Sequence, residues 1–244
     1  MKIKETPWER ENLGVESSAV FFIEEDDTRA VLDQEIANNR KYQYLEAVVP
    51  TSRVDLLNAL LESGFRFAEL AIQQSTKTSY ALPKIYERHA RDFSFQLAKE
   101  DEIKDIYGAI LQGSVFTTDK ISLNPQFGPC VAARRYYNWI SKEINEQKAY
   151  AYIIRCKEKN IGFTVLKKEN NSVCDGMLSG LLSPDAFAGY GVYLGYSIIQ
   201  AAASMGAKVL KAHVSSNNMP VIRANQMLGY QIESMLYVLT KNSK

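Results

Sequence analysis

The spacing of apolar and polar residues along the chain predicts strands and helices from end to end. Runs rich in apolar, aromatic and β-branched residues are typical of strands, whereas apolar residues that recur every three or four positions are typical of helices. The predicted strands lie at residues 19–24, 42–49, 65–67, 93–97, 150–155, 161–166, 177–182, 208–214 and 231–239. The predicted helices lie at residues 30–38, from a cap at Thr51 or Ser52 to Gly64, and at residues 99–112, 132–144, 192–205 and 220–228.

This order of elements predicts an α+β protein with a mixed sheet in two domains. A polar stretch at residues 73–79 interrupts the pattern and favours a domain boundary. We therefore expect a small α/β N-terminal domain over residues 1–85 and a larger domain over residues 86–244.

The two halves of the chain also resemble each other. Residues 48–67 and residues 213–232 each read strand, capped helix, glycine, aromatic residue, strand, so that Gly64 aligns with Gly229. Such a repeat indicates duplication, although a strand-helix-strand unit also arises independently.

Composition and charge exclude several classes of function. Hydrophobic residues make up 46% of the chain and the net charge is +1, which describes a globular protein without the basic surface that nucleic acids or anionic membranes require. Three widely spaced cysteines fit reduced thiols, and the two histidines form no cluster with metal-ligand spacing. The N-terminus lacks an apolar signal segment. We expect a cytoplasmic protein without a bound metal.

A pair of glycines opens the helix predicted at residues 192–205. Gly189 and Gly191 lie where the first backbone amides of the helix point outward, and such a helix start attracts phosphate oxygens. The same glycines also suit a plain turn. A dinucleotide-binding fingerprint is excluded because Leu194 replaces its third glycine, and no Gly-Lys-Ser/Thr loop occurs.

The wider pattern resembles the GNAT acyltransferase superfamily, whose acyl-CoA loop reads Q/R-x-x-G-x-G/A and whose later segment reads N-x-x-A-x-x-x-Y-x-x-x-G-F. Residues 186–191 match the loop and residues 218–230 match the later segment. The resemblance implies a mixed, mostly antiparallel sheet flanked by helices, preceded here by the small domain, which would be a truncated GNAT-like half. It implies acyl-CoA as a co-substrate and no permanently bound cofactor. The implied coenzyme A contacts are Leu181, Leu182, Ser183, Ala188, Gly189, Tyr190, Gly191, Val192, Asn218 and Asn225.

Each group of these contacts has an implied role. The amides of residues 189–192 would hold the pyrophosphate, the strand edge at residues 181–183 would pair with the pantetheine amides, and Asn218 would bind near the thioester. The N-terminal sequence at residues 7–15 and the Tyr-x-x-Trp-Ile helix at residues 136–140 resemble the nucleotide-sugar N-acetyltransferase branch that includes dTDP-fucosamine acetyltransferase.

Two positions depart from the family pattern. Ala186 replaces the Gln or Arg that opens the loop, and Asn225 replaces the Tyr that protonates the leaving thiolate in many relatives. An amide cannot donate that proton, so Asn225 at most forms a hydrogen bond. Ser215, Ser216 and Tyr237 are candidate replacements, with structural roles as the alternative for each.

The acceptor would lie against the loop and helix that precede the acyl-CoA loop, since an aromatic ring stacks on a sugar or base, Arg binds a diphosphate and Asp accepts from an ammonium group. The candidate residues are Phe116, Thr117, Asp119, Phe127, Arg134 and Tyr136. The implied reaction transfers an acetyl or other short acyl group, hydroxybutyryl included, from acyl-CoA to a nucleotide-linked amino-dideoxyhexose by direct attack in a ternary complex. A protein or peptide amine as acceptor, a non-catalytic acyl-CoA-binding protein and formation of a homodimer stay open.

Overall fold

The computed structural model describes residues 1–113, 115–182 and 190–242. The first half contains β1 (Lys2–Glu5), α1 (Glu9–Leu13), β2 (Ser18–Phe22), α2 (Arg29–Asn38), β3 (Tyr44–Pro50), α3 (Val54–Glu62), β4 (Arg66–Lys77) and α4 (Lys84–Ala90). The second half contains β5 (Phe93–Leu97), α5 (Glu100–Leu111), α6 (Pro129–Asn145), β6 (Tyr150–Cys156), β7 (Lys159–Lys168), β8 (Val173–Leu181), α7 (Tyr190–Ser204), β9 (Val209–Ser215), α8 (Met219–Met227) and β10 (Gln231–Asn242).

All of these strands form one mixed sheet in the order β1-β2-β3-β10-β4-β9-β8-β7-β6-β5. Two neighbouring pairs, β2 with β3 and β8 with β9, are parallel, and the other pairs are antiparallel. The predicted class, an α+β protein with a mixed and mostly antiparallel sheet flanked by helices, is confirmed.

The two halves of the sheet follow the same plan. Apart from the short helix α1 between β1 and β2, the series β1-β2-α2-β3-α3-β4 and the series β7-β8-α7-β9-α8-β10 share their order. Each has an antiparallel pair followed by a parallel pair. The last strand of each series pairs with the other series, because β10 lies between β3 and β4 while β4 lies between β10 and β9. The sheet therefore continues across residue 85, and the division into two domains there stays a prediction.

Helices cover both faces of the sheet. Ile153 of β6 packs with buried residues of α5 and α6, whereas its neighbour Ile154 packs with buried residues of α7. Adjacent strand residues point to opposite faces, so these two helix pairs lie on opposite sides. In the first half, α2 and α3 pack on β2 and β3 through Leu32, Leu56 and Phe21.

The polar stretch at residues 73–79 differs from its prediction, because most of it belongs to β4. Residues 73–75 of this strand pair with β10 on one edge and with β9 on the other, so this part of the chain lies inside the sheet. Its inward polar groups are also bonded: Gln74 accepts from Asn225 at 2.8 Å and the Thr76 hydroxyl donates to the Leu228 carbonyl at 3.1 Å. The polar composition suggested an interruption at a domain boundary because these bonding partners are distant in sequence.

Two helices end as predicted, and one begins differently. Gly64 and Gly229 follow α3 and α8 with φ angles of 87° and 71°, a left-handed conformation that favours glycine. The α3 helix begins after Arg53 without a side-chain cap, because the Ser52 hydroxyl donates instead to the Glu25 carboxylate.

Candidate active site

The parallel strands β8 and β9 pair over only part of their length. Their register runs from Val173 with Val209 to Gly176 with Ala212 and stops there, although β8 continues to Leu181 and β9 continues beyond the last pair. The opposite edge of β8 remains paired with β7 as far as its end. We call the opening between residues 177–181 and 213–215 the wedge. Its walls are strand edges that can pair with an inserted amide-bearing chain.

A β-bulge marks the point where the wedge opens. Val165 of β7 pairs with Leu178, but the next residue of β7 pairs with Gly176, so Met177 is an extra residue in β8. A bulge bends a strand and re-aims its side chains. The bulge therefore turns β8 away from β9 just after their last shared pair.

The corresponding strands of the first half form no such opening. Every residue of β2, from Ser18 to Phe22, pairs with β3, and the Ile23 amide extends the pairing to the Val48 carbonyl at 2.9 Å. The turn that follows β2 carries four successive acidic residues, Glu24 to Asp27, which would repel a phosphate. Among the described residues, the second half has the features of a cofactor site and the first does not.

Of the predicted coenzyme A contacts, Leu181 and Leu182 lie at the end of β8, along the open part of the wedge. Leu181 is the last residue of β8, and the Leu182 amide donates to the Ile161 carbonyl at 3.0 Å. Ser183, Ala188 and Gly189 lie outside the described residues, as does Ala186. These predictions remain untested.

The start of α7 follows that undescribed segment. Tyr190, Gly191 and Val192 form its first turn, where Val192 is buried in the core and Gly191 is exposed. A side chain at Gly191 would have room, because its nearest neighbour would be the Ala224 Cβ at 3.9 Å. The first turn of α7 therefore lies beside α8.

Asn218 lies between β9 and α8. Its side-chain oxygen accepts from the Val221 amide at 3.4 Å and caps α8, and its backbone amide donates to the Ser215 carbonyl at 2.9 Å. This position, three residues past the end of the wedge, is compatible with the predicted contact near a thioester.

Asn225 and two of the candidate proton donors, Ser216 and Tyr237, differ in their surroundings. Asn225 is 8% exposed and donates to Gln74, which places it in the packing between α8 and β4. The Ser216 hydroxyl accepts from the Leu70 amide at 2.9 Å and joins β4 to the end of β9. Tyr237 packs against Phe67 at 6.3 Å between ring centroids.

Ser215 contacts the loop that covers the wedge. Its hydroxyl donates to the Thr118 carbonyl at 3.2 Å and accepts from the Asn217 amide at 3.2 Å. Val115 lies against the other wall, since a Cβ at Gly180 would be 2.5 Å from its Cγ1. The loop at residues 115–119 therefore spans the wedge from β8 to β9.

The predicted acceptor residues separate into two groups. Phe116 and Tyr136 pack together at 4.8 Å between ring centroids, and Thr117 is exposed beside them. Phe127 packs instead on Tyr44 at 5.5 Å in another cluster, and Arg134 is exposed on α6. The guanidinium of α6 that forms an ion pair with Glu9 belongs to the next residue, the half-buried Arg135.

Asp119 joins the first group, but its oxygens are engaged. Its Oδ1 accepts from the Ile121 amide at 2.8 Å, and its Oδ2 accepts from the Ser122 hydroxyl at 2.8 Å. These bonds stabilise the turn that follows the loop.

A buried carboxylate that sequence reasoning missed lies beside Ser215. Glu69 of β4 is 8% exposed, and its Oε2 has no hydrogen-bond partner among the described residues. Burial raises the pKa of Glu69 above its usual range, opposed by the Ser215 hydroxyl and by the charge of Lys120, while Asp119 and Glu46 raise it further. The available signal was a lone acidic residue in the apolar stretch at residues 65–72.

A second acidic group lies where the wedge begins. Asp175 of β8 has its Oδ1 3.6 Å from Nε2 of His213, which is 58% exposed. Burial raises the pKa of Asp175, and His213 opposes this shift. Within the described residues, no cluster of His, Cys, Asp and Glu has the arrangement of a metal site.

No protein-family model and no curated protein matches the chain. Several solved structures share its fold. A GCN5-related N-acetyltransferase from Kribbella flavida superposes with a TM-score of 0.56 and 15% identity over 93% of this chain and 82% of that one. The fold is that of the GNAT acetyltransferases.

Two other structures extend the comparison. A conserved protein of unknown function from Staphylococcus epidermidis shares the GNAT fold of this chain with a TM-score of 0.66 and 14% identity, over 94% of this chain and 86% of that one. A GCN5-related glucosamine N-acetyltransferase region in a fungal multi-domain β-N-acetylglucosaminidase gives a TM-score of 0.63 and 10% identity, over 92% of this chain and 30% of that one. In the part of the chain that the model describes, no helix is long and apolar enough to cross a bilayer.

Proposed function

We propose that this GNAT-fold protein is an N-acyltransferase that moves an acetyl or other short acyl group from acyl-CoA to an amino sugar, specifically a nucleotide-linked amino-dideoxyhexose. The observation that carries the proposal is the wedge, whose two strand edges end their pairing at Gly176 and Ala212. An extended pantetheine arm carries two amides, which can pair with the edge of β8 as a further strand would. Its pyrophosphate would then lie at the start of α7, where helix amides favour anions.

The chemistry requires little from the protein beyond placement. A neutral amine attacks the thioester carbonyl, and the thiol that leaves has a pKa of about 8.5, so it departs without a strong acid. Holding the amine against the thioester contributes about 7–11 kcal/mol in favourable cases. The engaged side chains of Asn225 and Ser216 are therefore compatible with turnover.

An amino sugar as acceptor has two supports. One structural neighbour is named as a glucosamine N-acetyltransferase region. Phe116 of the covering loop and Tyr136 of α6 also pack together, and aromatic rings of this kind stack on sugar faces. The proposal that the acceptor carries a nucleotide rests only on the resemblance of residues 7–15 and 136–140 to the nucleotide-sugar N-acetyltransferase branch.

We also propose that residues 1–85 are a truncated GNAT-like half that supports the site of the second half. The matching order of β1 to β4 and β7 to β10 supports this division of roles, as does the fully paired β2 and β3.

Binding and turnover of the purified protein test the proposal. We expect acetyl-CoA to raise its melting temperature, and we expect release of CoA thiol with dTDP-4-amino-4,6-dideoxygalactose, dTDP-3-amino-3,6-dideoxyglucose or glucosamine. Thiol release with a lysine peptide alone would instead favour a protein acceptor. Tight binding of acetyl-CoA without thiol release would make the protein a non-catalytic acyl-CoA binder, and the absence of both would refute the proposal.

A pair of variants tests the position of the pyrophosphate. Gly191→Asp and Gly191→Asn have nearly the same shape and fit the open space at this position, but only aspartate adds a negative charge. We expect Gly191→Asp to weaken acetyl-CoA binding about tenfold more than Gly191→Asn, measured by calorimetry. Gln200→Glu, an exposed position later on α7, adds the same charge and should leave the dissociation constant unchanged. Equal affinities for the two Gly191 variants would place the pyrophosphate elsewhere.

A further inference from the structure

Glu69 lies near two other carboxylates, Glu46 of β3 and Asp119 of the loop at residues 115–119, and both of these are engaged. Glu46 of β3 forms an ion pair with Lys120. Asp119 accepts from the turn that follows it. Glu69 is the member of this group with a buried oxygen that lacks a partner in the described part of the chain. A buried, unpaired carboxylate oxygen is costly, so it indicates a missing donor.

Glu69 also lies next to the wedge. Its neighbour Ser215 is the last residue of β9, the strand that forms one wall, and Ser215 bonds the loop that covers the wedge. A cationic group that entered beneath this loop would meet the carboxylate of Glu69 beside the position proposed for the thioester.

We propose that Glu69 binds the ammonium group of the acceptor and takes the proton that must leave before the amine attacks. This role rests on the proposed acyl transfer. The N-terminal half would thus complete the active site of the C-terminal half with a side chain of its own.

The steps balance as follows. The ammonium group transfers one proton to the Glu69 carboxylate and becomes a neutral amine. The nitrogen lone pair then forms a bond to the thioester carbonyl carbon, and the carbon–sulfur bond breaks as the tetrahedral intermediate collapses. The sulfur leaves with the bonding electron pair, and the second nitrogen proton is released and protonates the thiolate. Glu69 returns its proton to water, so the products are an amide and free CoA thiol.

The exchange of strands between the halves explains how a residue so early in the chain reaches this place. β4 pairs with β9 from Ala71 with Ser215 onward, so the residues of β4 just before Ala71 continue past the end of β9. Glu69 lies two residues before Ala71 on that extension, and alternate strand residues share a face. The side chain of Glu69 therefore points to the same face as Ser215, the face that the loop covers.

The raised pKa agrees with this role, because a base is most effective when its pKa lies near the working pH. The groups that set this pKa come from every surrounding element: Glu46 from β3, Asp119 and Lys120 from the loop, and Ser215 from β9. Tyr136 of α6 faces the same group: burial raises the pKa of its hydroxyl, and the charges of Asp119 and Glu69 raise that pKa further. Lys120 is the cation among them, and Glu46 already pairs with it.

Glu69→Gln tests the proposal, because glutamine keeps the shape and removes the charge. The control is Glu62→Gln, an exposed residue at the end of α3. We expect Glu69→Gln to lower kcat for dTDP-4-amino-4,6-dideoxygalactose at least about a hundredfold. We expect it to weaken glucosamine binding to the CoA complex about tenfold, by calorimetry. Acetyl-CoA binding should not change, and the control should match the wild type throughout.

Stability separates this role from a structural one. Because burial raises the pKa of Glu69 in the folded state, its stabilising contribution is present at low pH and is lost as the pH rises through that pKa. Glu69→Gln should therefore melt above the wild type at pH 8 and near it at pH 4.5. Lower melting temperatures at both pH values would mean that the carboxylate serves the fold and would overturn the proposal.

Activity distinguishes the two proposals. If the wild type releases thiol with an amine acceptor and Glu69→Gln keeps its kcat, the role of Glu69 is refuted while the acyl transfer stands. If the wild type neither binds acetyl-CoA nor releases thiol, both proposals are refuted.

Discussion

The bond between Asn225 and Gln74 decides what the asparagine at the usual tyrosine position does. Asn225 is 8% exposed, Gln74 is 1% exposed, and their side chains are joined at 2.8 Å between Nδ2 and Oε1. The pair links α8 to β4 and therefore links the two halves of the chain. We predict that Asn225→Leu destabilises the protein without a specific effect on catalysis.

The magnitude follows from the atom left behind. Asn225→Leu keeps the branched shape of the side chain but leaves Oε1 of Gln74 buried without a donor, which costs about 1–3 kcal/mol. A middle value of about 2 kcal/mol lowers the melting temperature of a protein of this size by about 4–8 °C. Gln74→Leu should cost a similar amount. In the double variant both polar groups are gone, so its loss should be smaller than the sum by about 0.5–3 kcal/mol.

Urea denaturation of the wild type, the two single variants and the double variant measures this coupling. Thiol release per mole of folded protein measures catalysis. We expect the rate of Asn225→Leu to stay within about twofold of the wild type, whereas removal of a catalytic acid or base lowers a rate by about a hundredfold or more. An unchanged midpoint with a large fall in rate would refute this reasoning and assign Asn225 to the reaction. A coupling energy of zero would show that the bond does not form in solution.

Two further predictions concern backbone conformation and thiols. Gly229→Ala should destabilise the protein more than Gly14→Ala in urea denaturation. Both glycines have a positive φ, at 71° and 69°, so the backbone strain is similar in the two variants. Only at Gly229 would the added Cβ meet another side chain, Tyr80, whose Cε2 would be 2.3 Å away. Equal losses would mean that the ring of Tyr80 moves freely. Iodoacetamide at pH 8 should label exposed Cys130 in the native protein and spare Cys174, because burial raises the pKa of the Cys174 thiol to about 11. Mass spectrometry measures the labelling, and rapid labelling of both cysteines would contradict this prediction.

The periodic pattern located the helices and strands of the second half because each of them carries its own signal. The helix predicted at residues 192–205 is α7, and the helix predicted at residues 132–144 is α6, which is longer at both of its ends. Short elements such as α1 and β1 were not predicted, because four or five residues are too few to show a periodic pattern. The strand β4 was predicted too short for a different reason. Its polar residues find their partners only in α8 and in neighbouring strands.

The sequence predicted the type of site but not all of the residues that form it. Gly191 and Asn218 stand out by their spacing, and the structure places them at the start of α7 and α8 as expected. Phe127 and Phe116 belong to one loop in the sequence but pack in different clusters. Glu69 could not be assigned, because a lone acid in an apolar strand reveals its position and not its neighbours.

The sequence by itself determined the order of the longer elements and the two similar strand-helix-strand units, because periodicity, turn glycines and helix starts are local properties; its motifs also carried the resemblance to the GNAT superfamily. Only the tertiary structure decided which strands meet. Pairing of β4 with β9 and of β10 with β3 joins residues more than a hundred positions apart, and no local preference specifies such a partner. The wedge and the buried carboxylate beside it both follow from that pairing, since a strand edge is open or closed according to the neighbour that the whole chain supplies.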